Sequence, residues 1–206
     1  MIQLLIITFL GILCSPLIAQ ETLQDSIPAE IPCRIAVNAF DEFDSTRLVT
    51  TESLDLGYLV PTQNLVEELD GKTVTEEAKA IFTYAEGTNR IRSFFLTIVT
   101  TEYDYLKIEN GENVYLKLTN GKLVKLYNVP DNGELNRDII MWMYQHTCVV
   151  PLEIYHLLKN EKVEKIRINY ENSKKTIVLD EKQQIELQQL VLCIEAALKG
   201  ESVLKP

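Results

Sequence analysis

The chain has 206 residues, with 20 Lys and Arg against 30 Asp and Glu, a formal net charge of −10 and a pI near 4.8. Its longest basic feature is Lys174-Lys175. An acidic chain without a basic cluster argues against nucleic acid and anionic membrane surfaces, since both are held by grouped Lys and Arg. There is no phosphate-cradling glycine loop and no Gly-x-Ser-x-Gly, which disfavours nucleotide enzymes and nucleophile-elbow hydrolases.

Residues 1–19, MIQLLIITFLGILCSPLIA, are uncharged and almost wholly apolar, and the polar run Gln20-Glu21-Thr22 follows. This reads as a secretory signal peptide cleaved after Ala19, although no Lys or Arg precedes the apolar stretch. An uncleaved N-terminal anchor is the alternative, because the run is just long enough to span a bilayer. Residues 20–33 have two prolines and no periodicity, as a linker would. Residues 34–206 are expected to form one domain, placed in the periplasm or outside the cell, with no membrane span in the mature chain.

Cys33, Cys148 and Cys193 survive signal removal. An oxidising compartment allows one disulfide and one buried thiol. Spacing does not choose the pair. Cys193 lies among apolar neighbours on a predicted helix and reads as a small core residue, so Cys33 with Cys148 is the pair to test first.

In chain order, Arg34 to Phe40 reads as a strand with Ile35, Val37 and Ala39 inward, followed by the acidic turn Asp41-Glu42-Phe43-Asp44 and a second strand over Arg47 to Thr51. From 52 to 77 the signal is poor, and 61–69 suit a short helix or an irregular connection. Ala78 to Ala85 opens with helix formers but ends as strand before the turn cluster Glu86-Gly87-Thr88-Asn89. From Ile91 to Thr100, Phe94, Leu96 and Ile98 alternate with Phe95, Thr97 and Val99. A strand apolar or β-branched on both faces belongs in the middle of a sheet. Tyr103 to Ile108 is expected to extend that sheet.

Val114 to Asn128 is the most legible stretch, two alternating runs around Asn120-Gly121. A two-residue loop would pair Leu116 with Lys125 and mix core with solvent positions. A three-residue loop, Thr119-Asn120-Gly121 with Gly121 left-handed, instead pairs Leu116 with Val124 and Val114 with Leu126. Ile139 to Val150 then reads as a strand with Ile140, Trp142, Tyr144, His146, Cys148 and Val150 on one face. Pro151 at a first helical position starts a helix over Leu152 to Lys159, with Leu152, Tyr155 and Leu157 or Leu158 inward. Val163 to Tyr170 carries Ile166, Ile168 and Tyr170 inward, and Asn172-Ser173 turns it into Thr176 to Leu179. Asp180 and Gln183 form a capping box for a helix whose stripe of Leu187, Leu190, Val191, Ile194 and Leu198 ends at Gly200. The expectation is an α+β fold, a largely antiparallel sheet with a C-terminal helix–strand–strand–helix unit packed on it.

Asp41-Glu42-Phe43-Asp44, Leu116-Lys117-Leu118-Thr119-Asn120-Gly121 and Lys165-Ile166-Arg167-Ile168 before a terminal helix resemble elements of small exported bacterial proteins that have no assigned activity. The resemblance implies an exported α+β domain and carries over no catalytic residue.

His146, Cys148 and His156 are the only grouping with metal-ligand or nucleophile chemistry. His146 and Cys148 share a strand face, while the phase of the helix bearing His156 is open; one packed and one exposed histidine is the plain alternative. Asp131-Asn132-Gly133-Glu134 with Asn136 has oxygen ligands for Ca²⁺ but lacks EF-hand spacing, and a plain turn explains it. No catalytic, metal or cofactor site is therefore assigned. The leading expectation is a non-enzymatic exported binding or envelope-associated module, with Tyr103, Tyr105, Tyr115 and Tyr127 as candidates for an exposed aromatic surface. The rival is a small hydrolase or metal-dependent enzyme built on His146, Cys148 and His156. Convergence of those three in a pocket would favour the enzyme.

Overall fold

The computed structural model describes residues 33–59, 75–76, 78–137 and 140–200. The expected signal and linker, and the possible helix at 61–69, lie outside these residues. Strands β1 (Ile35–Phe40), β2 (Arg47–Thr51), β3 (Leu54–Asp55), β4 (Tyr58–Leu59), β5 (Thr75–Glu76), β6 (Ala78–Glu86) and β7 (Arg92–Glu102) come first. They are followed by β8 (Gly111–Leu118), β9 (Leu123–Pro130), β10 (Glu134–Asn136) and β11 (Met141–Val150). Helix α1 (Leu152–Asn160), β12 (Val163–Asn169), β13 (Lys174–Val178) and α2 (Glu181–Lys199) complete the chain.

The main sheet is antiparallel at every pairing and runs β1-β2-β6-β7-β11-β9-β8-β12-β13, with β3 on β6 and β10 on β11. β4 and β5 form a separate pair. The α+β class holds, but β12 and β13 extend the sheet beside β8 rather than packing on it. Hydrogen bonding explains this: the Val114–Leu118 side of β8 has a free edge once β9 has paired with the other, and β12 takes it.

Alternation decides which face is buried. Phe82, Phe94, Leu96, Ile98, Leu116, Leu126, Cys148, Ile166, Ile168 and Ile177 form one core with Tyr155 and Leu158 of α1 and Leu187, Val191 and Ile194 of α2. At about 1.5 Å per residue α2 is roughly 28 Å long, and it packs on β12 of one arm of the sheet and on β6, β3, β2 and β1 of the other. It starts beside β13 and reaches β2, where Arg47 Nη2 donates to the Ala197 carbonyl at 3.2 Å. Asp180 accepts from the Gln183 amide at 2.8 Å and Gln183 returns the bond, while Gly200 ends the helix at φ 75°. Among the described residues no helix is long and apolar enough to cross a membrane.

The β8–β9 hairpin has the register read from its pattern, Val114 opposite Leu126 and Leu116 opposite Val124. Gly121 sits at φ 84°, donating to the Leu118 carbonyl, and Leu118 pairs with Lys122 across a three-residue loop. Several other expectations need correction. Ile35 is buried, but Val37 and Ala39 are exposed, as is every residue of β1 after Ile35, because this edge strand runs out past the core. Tyr103 to Ile108 is not a strand; it is a loop whose Leu106 amide donates to the Tyr144 hydroxyl at 2.6 Å. Ile140 is exposed and Trp142 only half-buried, because the inward set of β11 begins at Tyr144. Pro151 is the residue before α1 rather than its first, and Leu152 is exposed; Tyr155 and Leu158 are the buried anchors of the helix, with Ile154 and Leu157 packed beside them.

Cys33 pairs with Cys193, with Cα atoms 5.2 Å apart, and Cys148 is a free buried thiol. The expected Cys33–Cys148 bond is thus overturned, as is the reading of Cys193 as a mere core residue. Cys148 points into the middle of the core, whereas Cys193 lies on the helix that packs against β1.

Candidate functional site

His146 and Cys148 do lie on one face of β11, and that face is the interior. Both are fully buried. His156 is on the exposed side of α1, so the three side chains do not converge, and no group of three or more His, Cys, Asp or Glu gathers as metal ligands among the described residues. Burial drives the Cys148 thiol up to about 12, which leaves almost no thiolate at neutral pH.

The histidine belongs to a neutral hydrogen-bonded chain. Asn113 Nδ2 donates to the Glu109 carbonyl at 2.6 Å, and Asn113 Oδ1 accepts from Asn128 Nδ2 at 2.9 Å. The same Asn128 amide lies 3.2 Å from His146 Nδ1. An amide nitrogen only donates, so Nδ1 must accept and the proton sits on Nε2. Nε2 in turn faces Tyr170 Oη at 3.1 Å and Thr100 Oγ1 at 3.4 Å. Burial, opposed weakly by Asp131, pushes the imidazole down to about 4. The cluster is dry and paired; it specifies packing and offers no approach to a substrate.

Asp131 Oδ1 accepts from the Gly133 amide at 3.1 Å, and Asn136 Nδ2 points at Met143 Sδ at 3.5 Å. Asp131 thus closes a turn at Gly133, whose α-carbon lies close against the Tyr144 ring, while Glu134 and Asn136, read as part of that turn, belong instead to strand β10 on β11.

The outer face is different. Both helices pack on the inner face, and across β9, β8, β12 and β13 the outward positions form rows fixed by register. Lys117 lies opposite Lys165; Arg167 lies opposite both Tyr115 and Thr176, and Tyr115 opposite Lys125; Asn169 lies opposite Lys174. Together they line an open groove of about 330 Å³ whose walls are Tyr115, Lys117, Leu123, Lys165, Arg167, Asn169, Lys174 and Thr176, with no carboxylate among them. Lys125 stands over the Tyr115 ring at 5.6 Å. At the rim Glu164 bridges Lys117 at 2.8 Å and Lys165 at 3.2 Å, and these bonds, Lys117 first, hold its carboxyl below the usual range. Arg167 Nε donates to Thr176 Oγ1 at 3.0 Å, which fixes the guanidinium over the groove. Asn169 Oδ1 lies buried beneath the groove without a hydrogen-bond partner.

Five cations against one carboxylate give this surface a formal surplus of four positive charges in a chain of net −10. The absence of a basic cluster read from the sequence is therefore corrected: four strands assemble one from cations scattered between positions 117 and 174. Beside it β9 and β11 expose Tyr127, Val129 and Val149, with Tyr127 directly opposite Val149. Of the four tyrosines singled out from sequence, Tyr115 and Tyr127 share this face, while Tyr105 packs edge-on against Trp142 at 5.0 Å and Tyr103 lies beside it in the loop after β7. The signal that could have found the groove is the period-two placement of Lys117, Lys125, Lys165 and Arg167, all out of phase with the core residues of their strands. Comparison of the chain with protein-family models, with curated proteins and with solved structures finds no match.

Proposed function

We propose that the protein is a non-enzymatic, exported binding module that engages its partner with the uncovered outer face of the sheet. The observation that carries the reading is the groove over β8, β12 and β13. Like charges crowded on adjacent strands destabilise a sheet unless something compensates them, and among the described residues Glu164 is the carboxylate that bridges them. The neighbouring Tyr127, Val129 and Val149 supply apolar area of the kind that marks interaction surfaces. The Cys33–Cys193 bond supports export, since such bonds persist in oxidising compartments. A hydrolase based on His146, Cys148 and His156 lacks support, because its nucleophile is a buried neutral thiol and its base a buried neutral imidazole.

The test is backbone amide shift mapping on the folded protein while polyglutamate, polyphosphate, a neutral oligosaccharide and an apolar fluorescent dye are added in turn. Ligands that bind should move amides of β8, β9, β12 and β13. Shifts centred on β11 at His146 and Cys148, or turnover of chromogenic ester, amide or glycoside substrates that is lost in His146→Asn, would sink the reading.

A further inference from the structure

We infer that the groove takes a short acidic peptide segment in extended conformation, with carboxylates on alternate residues. The inference rests on the outer-face reading above and adds the chemistry of the partner.

Register sets the argument. Lys117 on β8, Arg167 on β12 and Lys174 on β13 each lie one strand over and two residues along from the last. With strands about 4.8 Å apart and alternate residues about 6.8 Å apart, the three form a straight diagonal with a step of about 8 Å and a length of about 17 Å. An extended peptide presents alternate side chains about 7 Å apart on one side, and flexible Lys and Arg arms absorb the difference. Three carboxylates at i, i+2 and i+4 therefore meet three cations in order. Arg167, held at Nε by Thr176, keeps its two terminal nitrogens for a bidentate carboxylate, the geometry in which such pairs are strongest. Lys165 opposite Lys117, and Lys125 opposite Tyr115, flank the diagonal on its two sides.

Charge outside the groove limits the partner's length. Glu109 and Glu171, bridged by Lys107 at 3.2 and 3.4 Å, and Glu112 lie at the strand ends beyond Asn113 and Asn169. The Debye length at physiological salt is about 8 Å, so a long, densely charged polymer that overhangs the diagonal meets repulsion from this acidic surface. A segment carrying three charges does not. That contrast favours a peptide over nucleic acid or a long anionic polysaccharide.

The test uses the intact oxidised protein and fluorescent heptapeptides: one alternating Glu and Val, one alternating Gln and Val, and one with the same glutamates contiguous. The alternating Glu peptide should bind, the Gln peptide should not, and the contiguous one should bind more weakly. Arg167→Glu and, separately, Lys174→Glu should each weaken binding about tenfold or more, because charge reversal replaces an attraction with a like-charge contact, and Lys182→Glu on α2 should leave it unchanged. Melting curves of the variants confirm that they remain folded. Equal binding of Glu and Gln peptides, or indifference to Arg167→Glu, overturns the inference. Tighter binding of polyphosphate through Arg167 overturns the peptide partner, and so does Arg167-dependent self-association in gel filtration; in both cases the outer face would remain the docking surface. If no anion binds but the apolar dye still moves the amides of β9, the charge argument fails alone. If nothing moves that face, the reading beneath it fails as well.

Discussion

On the inner face of the sheet the His146 cluster is neutral, buried and paired within itself, and the Glu102–Lys175 ion pair at 3.2 Å is matched charge for charge; on the outer face the polar side chains are charged, exposed and crowded around one carboxylate. His146, Asn128, Thr100 and Tyr170 satisfy one another's donors and acceptors in the interior, while Lys117, Lys125, Lys165, Arg167 and Lys174 crowd a solvent surface around one carboxylate. Chemically suggestive residues, the histidine and the thiol, are thus the inert ones. Ordinary lysines, unremarkable one at a time, make the site. Residue type proposes chemistry, but burial and neighbours dispose of it.

The sharpest way to break this contrast is through the inner face. Phe94 stacks on Tyr155 at 4.0 Å and touches Phe82 and Tyr84, so Phe94→Ala should cost about 3–5 kcal/mol, read as a drop in the denaturation midpoint. A small loss would mean that α1 does not depend on the sheet.

The second effect is a pH dependence. The fold holds His146 near 4, below the value of about 6.5 for an unfolded chain, so the unfolded state binds the extra proton and stability falls as pH drops from about 6.5 to about 4. The loss should approach roughly 3–4 kcal/mol, about 1.4 per unit, and end below about 4. In His146→Asn the slope over that window should flatten, leaving carboxylates such as Glu164, Glu195 and Asp44, whose depressed values act lower down. An unchanged slope in the variant would show that the imidazole is not the group responsible.

The smallest effect belongs to the outer face. Arg167→Ala should move stability by no more than about 0.5 kcal/mol, since its side chain is exposed and its hydrogen bond to Thr176 lies at the surface. A large destabilisation would make the cations structural and erase the difference between the faces.

Local features were readable from the chain. The three-residue loop before Lys122, the capping box at Asp180, the left-handed Gly200 and the inward set Ile166, Ile168 and Tyr170 follow from alternation, short-range hydrogen bonds and glycine. Non-local features were not. Nothing in the sequence between Val163 and Asn169 says that β12 pairs with β8, yet that pairing alone sets Lys165 against Lys117 and Arg167 against Tyr115. The same holds for the cysteines, whose pairing depends on where α2 lies over β1. The misreading of Val37 and Ala39 arose because β1 is an edge strand exposed on both faces beyond Ile35, and whether a strand lies at an edge leaves no trace in its own composition.

The bond between Cys33 and Cys193 also has a consequence for biogenesis. Its two halves are separated by 160 residues, and the second is carried by the last helix of the described chain. Oxidation must therefore wait until α2 has emerged from the ribosome, and during synthesis the first cysteine stands exposed to wrong partners, Cys148 among them. A late-closing clasp of this kind can tie the head of the first strand to the last helix only after the whole sheet between them has been made.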